Sequence, residues 1–135
     1  MPRTTLDDRD RELLSAPNFC HVSTVREDGS IHTVPIWVDV EDELVVLNTE
    51  AHRAWPKNLR RTGHTTLTVL NMENPYEYLT ITGHVAEETE EGALAHIDAM
   101  AKKYIDRDDY PFHRDGDVRV IFRIAPDRVH RHAAG

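Results

Sequence analysis

The stretch that decides the fold is residues 48–61, N-T-E-A-H-R-A-W-P-K-N-L-R-R, where a short apolar strand gives way to a helix. Five polar side chains surround the predicted start of that helix: Arg53, Lys57, Asn58, Arg60 and Arg61. The first N–H groups of a helix lack intrahelical partners, and the helix dipole favours negative charge at that end. The segment therefore predicts an anion site, with a phosphate-bearing small molecule as the leading ligand class. A solvated basic surface helix is the alternative, because charge runs usually lie on the surface.

The rest of the chain is acidic, with a formal net charge of -8 over 135 residues, and its length suits one domain covering 1–135. An acidic balance argues against a nucleic-acid partner, since phosphate contacts need many Lys and Arg side chains on one face. No apolar run approaches the length of a membrane span, and residues 1–10 are too polar for a signal peptide. The single cysteine, Cys20, cannot form an internal disulfide. We expect a cytoplasmic protein without a membrane partner.

Outward from residues 48–61, the pattern predicts short strands joined mostly by tight turns. A first helix is expected over 5–15, with Thr5 as N-cap and Asp8 three residues on, and a later helix over 92–105. Asp28-Gly29 is the strongest hairpin signal in the chain. The predicted strands span 19–25, 31–40, 44–49, 65–71, 77–87 and 118–124, with a little more strand at 127–131 and a frayed tail from His132.

Two residues add detail to this pattern. Pro35 cannot donate a ladder hydrogen bond, so it belongs at an edge or a bulge, and Gly83 inside a strand suggests a bulge or a close backbone approach. The later helix should bury one stripe, formed by Leu94, Ile97, Ala101 and Tyr104. Six strands on mostly adjacent connections, with helices at the crossings, indicate an antiparallel barrel or sandwich, a mainly β, α+β fold.

Other sites receive weaker support. Cys20 and His21 point to opposite faces of a strand, so Cys20 is expected in the core and not as a nucleophile. No metal-binding spacing occurs among the histidines, although His130 and His132 share a strand face. The motif N-P-Y-E-Y places Tyr76 and Tyr78 at the opening of a strand. Those two rings could sandwich a planar heterocycle or pack at a subunit interface, and Trp55 has the same two interpretations. His32 and Trp37 should lie on opposite faces of their strand.

Three segments in order carry a family resemblance: D-G-S-I-H-T-V-P-I-W-V, L-N-T-E-A-H-R-A-W-P-K-N-L-R-R, and L-T-V-L-N-M-E-N-P-Y-E-Y-L-T-I-T-G-H-V. Together they make the chain similar to the pyridoxamine-phosphate-oxidase-like split-barrel flavoprotein superfamily, and to its branch of oxidoreductases that use the deazaflavin coenzyme F(420). The resemblance implies a six-stranded antiparallel split β-barrel with flanking helices, of the FMN-binding type, which forms a homodimer with cofactor sites at the interface.

The resemblance also implies the cofactor-binding residues. The cofactor phosphate would be held by the end of the third strand and the following helix start, which correspond to Asn48, Thr49, Arg53, Ala54, Lys57 and Asn58. The ring would lie against the second strand, at His32, Thr33, Val34 and Pro35, with Tyr76 and Tyr78 as candidate ring contacts from the other subunit. Many members carry a lysine where this chain has Trp55, so Lys57 is expected to supply that charge.

The activity implied is transfer of a hydride from the reduced deazaflavin to a conjugated small-molecule acceptor, with no obligatory catalytic side chain and no metal. Further contacts with the polyanionic cofactor tail are expected from Arg60, Arg61, Lys102 and Lys103. One alternative keeps the fold and uses FMN as an oxidase or reductase of the pyridoxamine-phosphate-oxidase type. Another is a non-enzymatic protein that binds flavin, haem or a tetrapyrrole, with His21, His32 or His84 as the axial ligand.

Overall fold

The computed structural model describes residues 3–133, which form one antiparallel sheet with three helices beside it. None of these helices is long and apolar enough to cross a membrane. Most elements begin within one residue of their predicted starts. In chain order they are α1 (Asp8–Ser15), β1 (Cys20–Val25), β2 (Ile31–Ile36), β3 (Asp39–Glu41), β4 (Leu44–Glu50), α2 (Ala54–Thr62), β5 (His64–Leu70), β6 (Tyr78–Thr89), α3 (Ala93–Ile105) and β7 (Arg119–His132).

The sheet has the strand order β2-β1-β5-β6-β7-β4-β3, and every neighbouring pair is antiparallel. This is a split-barrel-like α+β fold, as predicted. It differs in having seven strands, and within residues 3–133 no pairing joins β2 to β3 and closes the sheet. The Asp28-Gly29 hairpin between β1 and β2 is confirmed, with Gly29 at φ 88° in the left-handed region that glycine favours.

The seventh strand arises because the predicted strand 31–40 is interrupted at Trp37 and Val38. The backbone N–H of Val38 donates to the hydroxyl of Tyr104 over 3.0 Å, so α3 takes a donor that a continuous strand would use in its ladder. β3 then pairs with β4, whereas β2 stays with β1 at the end of the sheet. Pro35 therefore lies on an edge strand, which confirms its predicted position.

The long strands β6 and β7 make the most extensive pairing in the sheet, and Gly83 adapts it. The register between them shifts at Thr82/Gly83, and a Cβ atom on Gly83 would lie 2.6 Å from the carbonyl oxygen of Ala125. The predicted bulge and the close backbone approach are both present. The predicted tail from His132 is wrong at its first residue, because His132 is the last residue of β7 and pairs with Tyr78. Ala133 lies beyond the strand, and the rest of that tail, 134–135, lies outside the described residues.

Helix α1 begins later than predicted, and its cap explains the difference. Asp7, not Thr5, is the N-cap: its carboxylate accepts from the N–H of Asp10, and the carboxylate of Asp10 accepts from the N–H of Asp7. Asp10 is fully buried and also forms ion pairs with Arg3 at 2.6 Å and Arg131 at 2.7 Å. This cluster joins α1 to the end of β7 and to the N-terminal segment.

The main core lies between the inner face of the sheet and the apolar sides of α1 and α2. Cys20 is fully buried there, as predicted. The predicted apolar stripe of α3 needs one correction, because Leu94 is 62% exposed and the helix buries Ala93 and Met100 beside Ile97 and Ala101 instead. The largest fully buried side chains are Phe122, Leu14, Leu47, Leu59, Leu67, Leu79, Ile81 and Ile124.

Candidate functional site

A pocket of about 180 Å³ lies where the ends of several elements meet. The carboxyl ends of β2 and β4, the start of α2, one side of α3 and the segment before β7 all contribute to its wall. Five of the predicted site residues line it: Pro35, Asn48, Thr49, Arg53 and Trp55. The sequence did not assign the other lining residues to the site: Phe19, Ile36, Trp37, His96, Ile97, Met100, Tyr110, Phe112 and Arg119.

The start of α2 forms one cationic edge of this pocket. Arg53 is the N-cap residue, its side chain makes no capping hydrogen bond, and the first turn holds no acidic residue. Pro56 has no N–H, and the N–H of Arg53 donates to the carbonyl of Glu50. The N–H groups of Ala54 and Trp55 are therefore the ones at this helix start that can donate to a ligand. Within residues 3–133, neither Arg53 nor Lys57 has a carboxylate within ion-pair distance. This end of the helix can therefore receive an anion.

The other predicted tail contacts are engaged within the protein. Arg60 pairs with Glu88 at 2.7 Å, and Lys102 pairs with Asp106 at 2.7 Å. Arg61 donates to the carbonyl of Val25 and to the Asn58 side chain. Lys103 donates to the carbonyls of Leu14 at 2.9 Å and Val38 at 2.6 Å, and burial lowers the pKa of its ammonium to about 8. Each of these four side chains therefore already has a partner within the protein.

A chain of hydrogen bonds runs along the wall of the pocket from the Arg119 guanidinium to the Asp39 carboxylate. Nε of Arg119 donates to Oδ1 of Asn48 over 3.0 Å, and Nδ2 of Asn48 lies 3.1 Å from Nδ1 of His96. Nε2 of His96 lies 3.0 Å from Oδ2 of Asp39. Burial alone would raise the pKa of the Asp39 carboxyl, but hydrogen bonds from His96 and the Val40 N–H lower it overall, so Asp39 is ionised near neutral pH.

The apolar wall of the pocket is largely aromatic. Trp37 stacks on Tyr104 with 5.1 Å between ring centroids and meets the Tyr110 ring edge-on at 5.9 Å. Tyr104 is held by donating from its hydroxyl to the carbonyl of Asn18 over 2.6 Å, and burial raises the pKa of that phenol. Tyr110 in turn contacts Phe112 edge-on at 5.4 Å. These rings form a rigid surface suited to a planar ligand.

The side chains on the two faces of β2 have different surroundings. His32 and Val34 lie opposite Thr24 and Val22 on the inner face, whereas Thr33 lies on the outer face and bonds Ser23 at 2.9 Å. Nδ1 of His32 is buried without a hydrogen-bond partner among residues 3–133. Trp37 lies beyond the end of β2, so it and His32 do not share a strand as predicted. Of the four ring contacts predicted on this strand, only Pro35 therefore lines the pocket.

The remaining predicted residues lie outside the pocket lining, including Ala54 and Lys57, which are exposed on α2. Asn58 is buried in α2 and donates Nδ2 to Oγ1 of Thr24 over 3.2 Å. Tyr76 is 79% exposed in the turn before β6, so it does not open the strand beside Tyr78 as predicted. Tyr78 stacks on His132 with 5.2 Å between centroids. Among residues 3–133 no group of three His, Cys, Asp or Glu side chains could hold a metal ion.

Sequence reasoning missed the residues that α3 and the following segment bring to the site. His96 is one more polar residue in an amphipathic helix, and Arg119 reads as the first residue of a strand, so neither carries a local signal. Tyr110 and Phe112 lie between the helix predicted over 92–105 and the strand predicted over 118–124, in a segment that the pattern indicates to be a loop. Two aromatic residues within a mostly charged loop are the one sequence signal that could have indicated part of a pocket wall.

Comparison with known proteins places this geometry in context. The sequence model of the family described as pyridoxamine 5'-phosphate oxidase matches residues 6–133. A solved structure named F420 reductase is similar with a TM-score of 0.79 and 23% identity, over 93% of this chain and 98% of that chain. A conserved hypothetical protein from Mycobacterium tuberculosis is similar with a TM-score of 0.69 and 21% identity, over 94% and 84% of the two chains.

General Stress Protein 26 from Bacillus anthracis is similar with a TM-score of 0.66 and 16% identity, over 90% of this chain and 88% of that chain. At these identities the structural likenesses establish the fold alone. None of the curated proteins matches the chain in sequence.

Proposed function

Because the chain belongs to the pyridoxamine 5'-phosphate oxidase family, we propose that it is an oxidoreductase that uses the deazaflavin coenzyme F(420). In this proposal the phosphate of the coenzyme lies at the start of α2, and the ring system borders the adjoining pocket on the side of Pro35, which leaves the aromatic wall to the acceptor. The similarity to a structure named F420 reductase favours this coenzyme over others. The acceptor is a conjugated small molecule.

One observation carries the proposal: the uncapped start of α2 opens on the pocket through Arg53, on an otherwise acidic protein. Neither Arg53 nor Lys57, which is exposed on the same helix outside the pocket lining, has an ion-pair partner within residues 3–133. Half of the other arginines form ion pairs within residues 3–133, as Arg9 does with Glu77 and Arg123 does with Glu41. A cationic helix start without a protein counter-ion is the arrangement that a phosphate ester fits, through backbone N–H groups and a bidentate guanidinium.

The size of the pocket bears on how much of the coenzyme it holds. About 180 Å³ is below the range of about 300–1,000 Å³ typical of sites for drug-sized ligands. We therefore propose that this chain supplies the phosphate end and one wall of the ring site, and that a second copy completes the site in a homodimer. Tyr78 on β6 remains a candidate contact from that second copy.

When bound, the reduced coenzyme would supply a hydride to the acceptor. The chain's own residues would bind and orient. Arg53, Lys57 and the N–H groups of Ala54 and Trp55 would hold the phosphate, while Trp55, only 2% exposed, would keep water from the inner end of the pocket. Trp37 and Tyr110 would fix the plane of the acceptor's ring, because their own contacts leave them little freedom.

Calorimetric titration of the purified protein with F(420) and with FMN tests the proposal. We expect Arg53→Ala and Lys57→Ala each to weaken F(420) binding by about 1.5–3 kcal/mol, the usual scale for a hydrogen bond to a charged group. Arg128→Ala is the matched control, because Arg128 is an exposed cation outside the pocket lining that lies on β7 and not on α2. Unchanged affinity in both site variants would remove the basis of the proposal.

FMN is the second candidate, because the start of α2 would hold the phosphate of either cofactor. Tighter binding of FMN than of F(420) in the same titration would transfer the proposal to an FMN-dependent oxidase or reductase. A haem- or tetrapyrrole-binding role has less support, because none of its candidate ligands, His21, His32 and His84, lines the pocket. His84 is instead exposed and pairs with Asp127 at 2.8 Å.

A further inference from the structure

Arg119 is a buried cation in the pocket wall that lacks a counter-ion among the described residues. Arg119 is only 7% exposed, and its guanidinium carbon lies 5.0 Å from the centroid of the Tyr110 ring. Within residues 3–133 no carboxylate lies within ion-pair distance of it, and its one hydrogen bond to a side chain runs from Nε to Asn48. Burial lowers the pKa of Arg119 overall; Tyr110 and the charge of Asp117 oppose this shift, and the charge of Arg53 adds to it. A buried charge without a partner is costly, which indicates a ligand that supplies the opposite charge.

The orientation of Arg119 is set by the hydrogen bonds behind it. A guanidinium can only donate, so the oxygen of Asn48 faces Arg119 and its amide nitrogen faces both the carbonyl of Ala93 at 2.9 Å and Nδ1 of His96. Nδ1 of His96 must then accept, which places the imidazole proton on Nε2, where it is donated to Asp39. Each hydrogen bond in this chain fixes the orientation of the next side chain. The terminal nitrogens of the Arg119 guanidinium remain available to a ligand in the pocket.

The surfaces around Arg119 define what it can recognise. Trp37, Tyr110 and Phe112 provide flat apolar walls, and the volume of about 180 Å³ suits a group the size of one substituted ring. A planar carboxylate matches the guanidinium through two parallel hydrogen bonds. A ligand that satisfies both features is a conjugated or aromatic ring that bears a carboxylate.

We propose that Arg119 binds the carboxylate of the electron acceptor, which makes the substrate class a planar conjugated acid, and that Asn48, His96 and Asp39 are its positioning residues. This inference rests on the proposed function for the redox role of that acid, but the recognition itself requires no cofactor. The same oxyanion chemistry could instead belong to the coenzyme, so the experiment separates the two sources.

Binding of benzoate and of its neutral isostere benzamide to the apo protein tests the proposal by calorimetry or ligand-observed NMR. We expect the wild-type protein to prefer benzoate at least tenfold, the lower end of the scale for a charge-assisted bidentate pair. Arg119→Met should abolish the preference, and Arg119→Lys should retain part of it. Arg128→Met, the same substitution on the same strand outside the pocket lining, should keep it.

The positioning residues are tested in the same assay. His96→Leu removes the acceptor for Asn48 and should reduce the benzoate preference several-fold, whereas His96→Asn offers an oxygen near the position of Nδ1 and should restore most of it. Arg119→Met should leave the melting temperature unchanged or raise it, because it removes a buried charge without a protein partner. A structural arginine would instead lower the melting temperature when replaced.

Two results would overturn the proposal. If the wild-type protein binds benzoate and benzamide equally, or if Arg119→Met keeps the preference, Arg119 does not recognise a carboxylate. If Arg119→Met weakens F(420) or FMN binding more than threefold while the wild type shows no benzoate preference, the oxyanion belongs to the coenzyme. Failure of the proposed function would appear separately, as absence of cofactor binding with the benzoate preference intact.

Discussion

Replacing Gly83 by alanine should destabilise the fold by an amount that its surroundings allow us to work out. The added Cβ would lie 2.6 Å from the carbonyl oxygen of Ala125 and 2.7 Å from Cγ2 of Ile124, both closer than real Cβ contacts. The first of these atoms is backbone in the partner strand, and the second belongs to a fully buried side chain. Neither can rotate away, so β6 and β7 must separate locally at the bulge.

Overpacking of this kind costs about 1–3 kcal/mol, and a backbone contact favours the upper half of that range. Gly83 does not have a positive φ, so alanine adds no backbone strain and recovers about 0.5 kcal/mol by restricting the unfolded chain. We expect a net loss of about 2 kcal/mol, which for a chain of 135 residues lowers the melting temperature by about 6–10 °C.

Urea unfolding followed by circular dichroism measures this loss as a lower midpoint with an unchanged slope. Ala86→Ser is the matched control, because Ala86 is an exposed small residue on the same strand, and its midpoint should stay within about 0.5 kcal/mol of the wild type. A Gly83→Ala variant as stable as the wild type would refute the claim that β6 and β7 approach this closely.

Two further predictions concern ionisable groups. Cys20 is fully buried and burial raises the pKa of its thiol to about 12, so iodoacetamide at pH 8 should label the native protein only after unfolding; rapid labelling without urea would contradict its placement. The hydrogen bond from Arg9 lowers the pKa of Glu77 to about 2, so this carboxylate stabilises the fold above its ordinary pKa of 4.5 and the contribution is lost as pH falls toward 2. Urea midpoints between pH 5 and 2 should therefore fall less steeply for Glu77→Gln than for the wild type. Glu73→Gln, on the exposed turn nearby, is the control and should follow the wild type. Identical curves for all three proteins would show that the Arg9–Glu77 ion pair does not contribute to stability.

Local sequence signals were sufficient for the starts of the predicted strands, because most of these strands follow a turn with its own chemistry. Asp28-Gly29 predicted the first hairpin, and Gly83 predicted the irregular pairing of β6 with β7. The predicted start of α1 was wrong because two possible cap pairs have the same three-residue spacing, Thr5 with Asp8 and Asp7 with Asp10. The capping box that forms is Asp7 with Asp10. A sequence cannot rank two such caps without knowing that Arg3 and Arg131 meet the second one.

The break at Trp37 and Val38 could not be predicted for a similar reason. It depends on the hydroxyl of Tyr104, which is distant in sequence and reaches the strand only after α3 packs beside it. The candidate site shows the same division. Its α2 side was predicted from one continuous segment, whereas Arg119 and His96 enter through tertiary pairings that leave no local pattern.

The placement of the aromatic wall has a practical consequence. The chain has two tryptophans, and both Trp37 and Trp55 border the same cavity. All of the indole emission of the protein therefore originates beside the site, without background from a distant fluorophore. A bound chromophore whose absorption overlaps that emission would quench it, so occupancy could be followed in unlabelled protein, and Trp37→Phe or Trp55→Phe would reveal which side of the cavity the chromophore approaches.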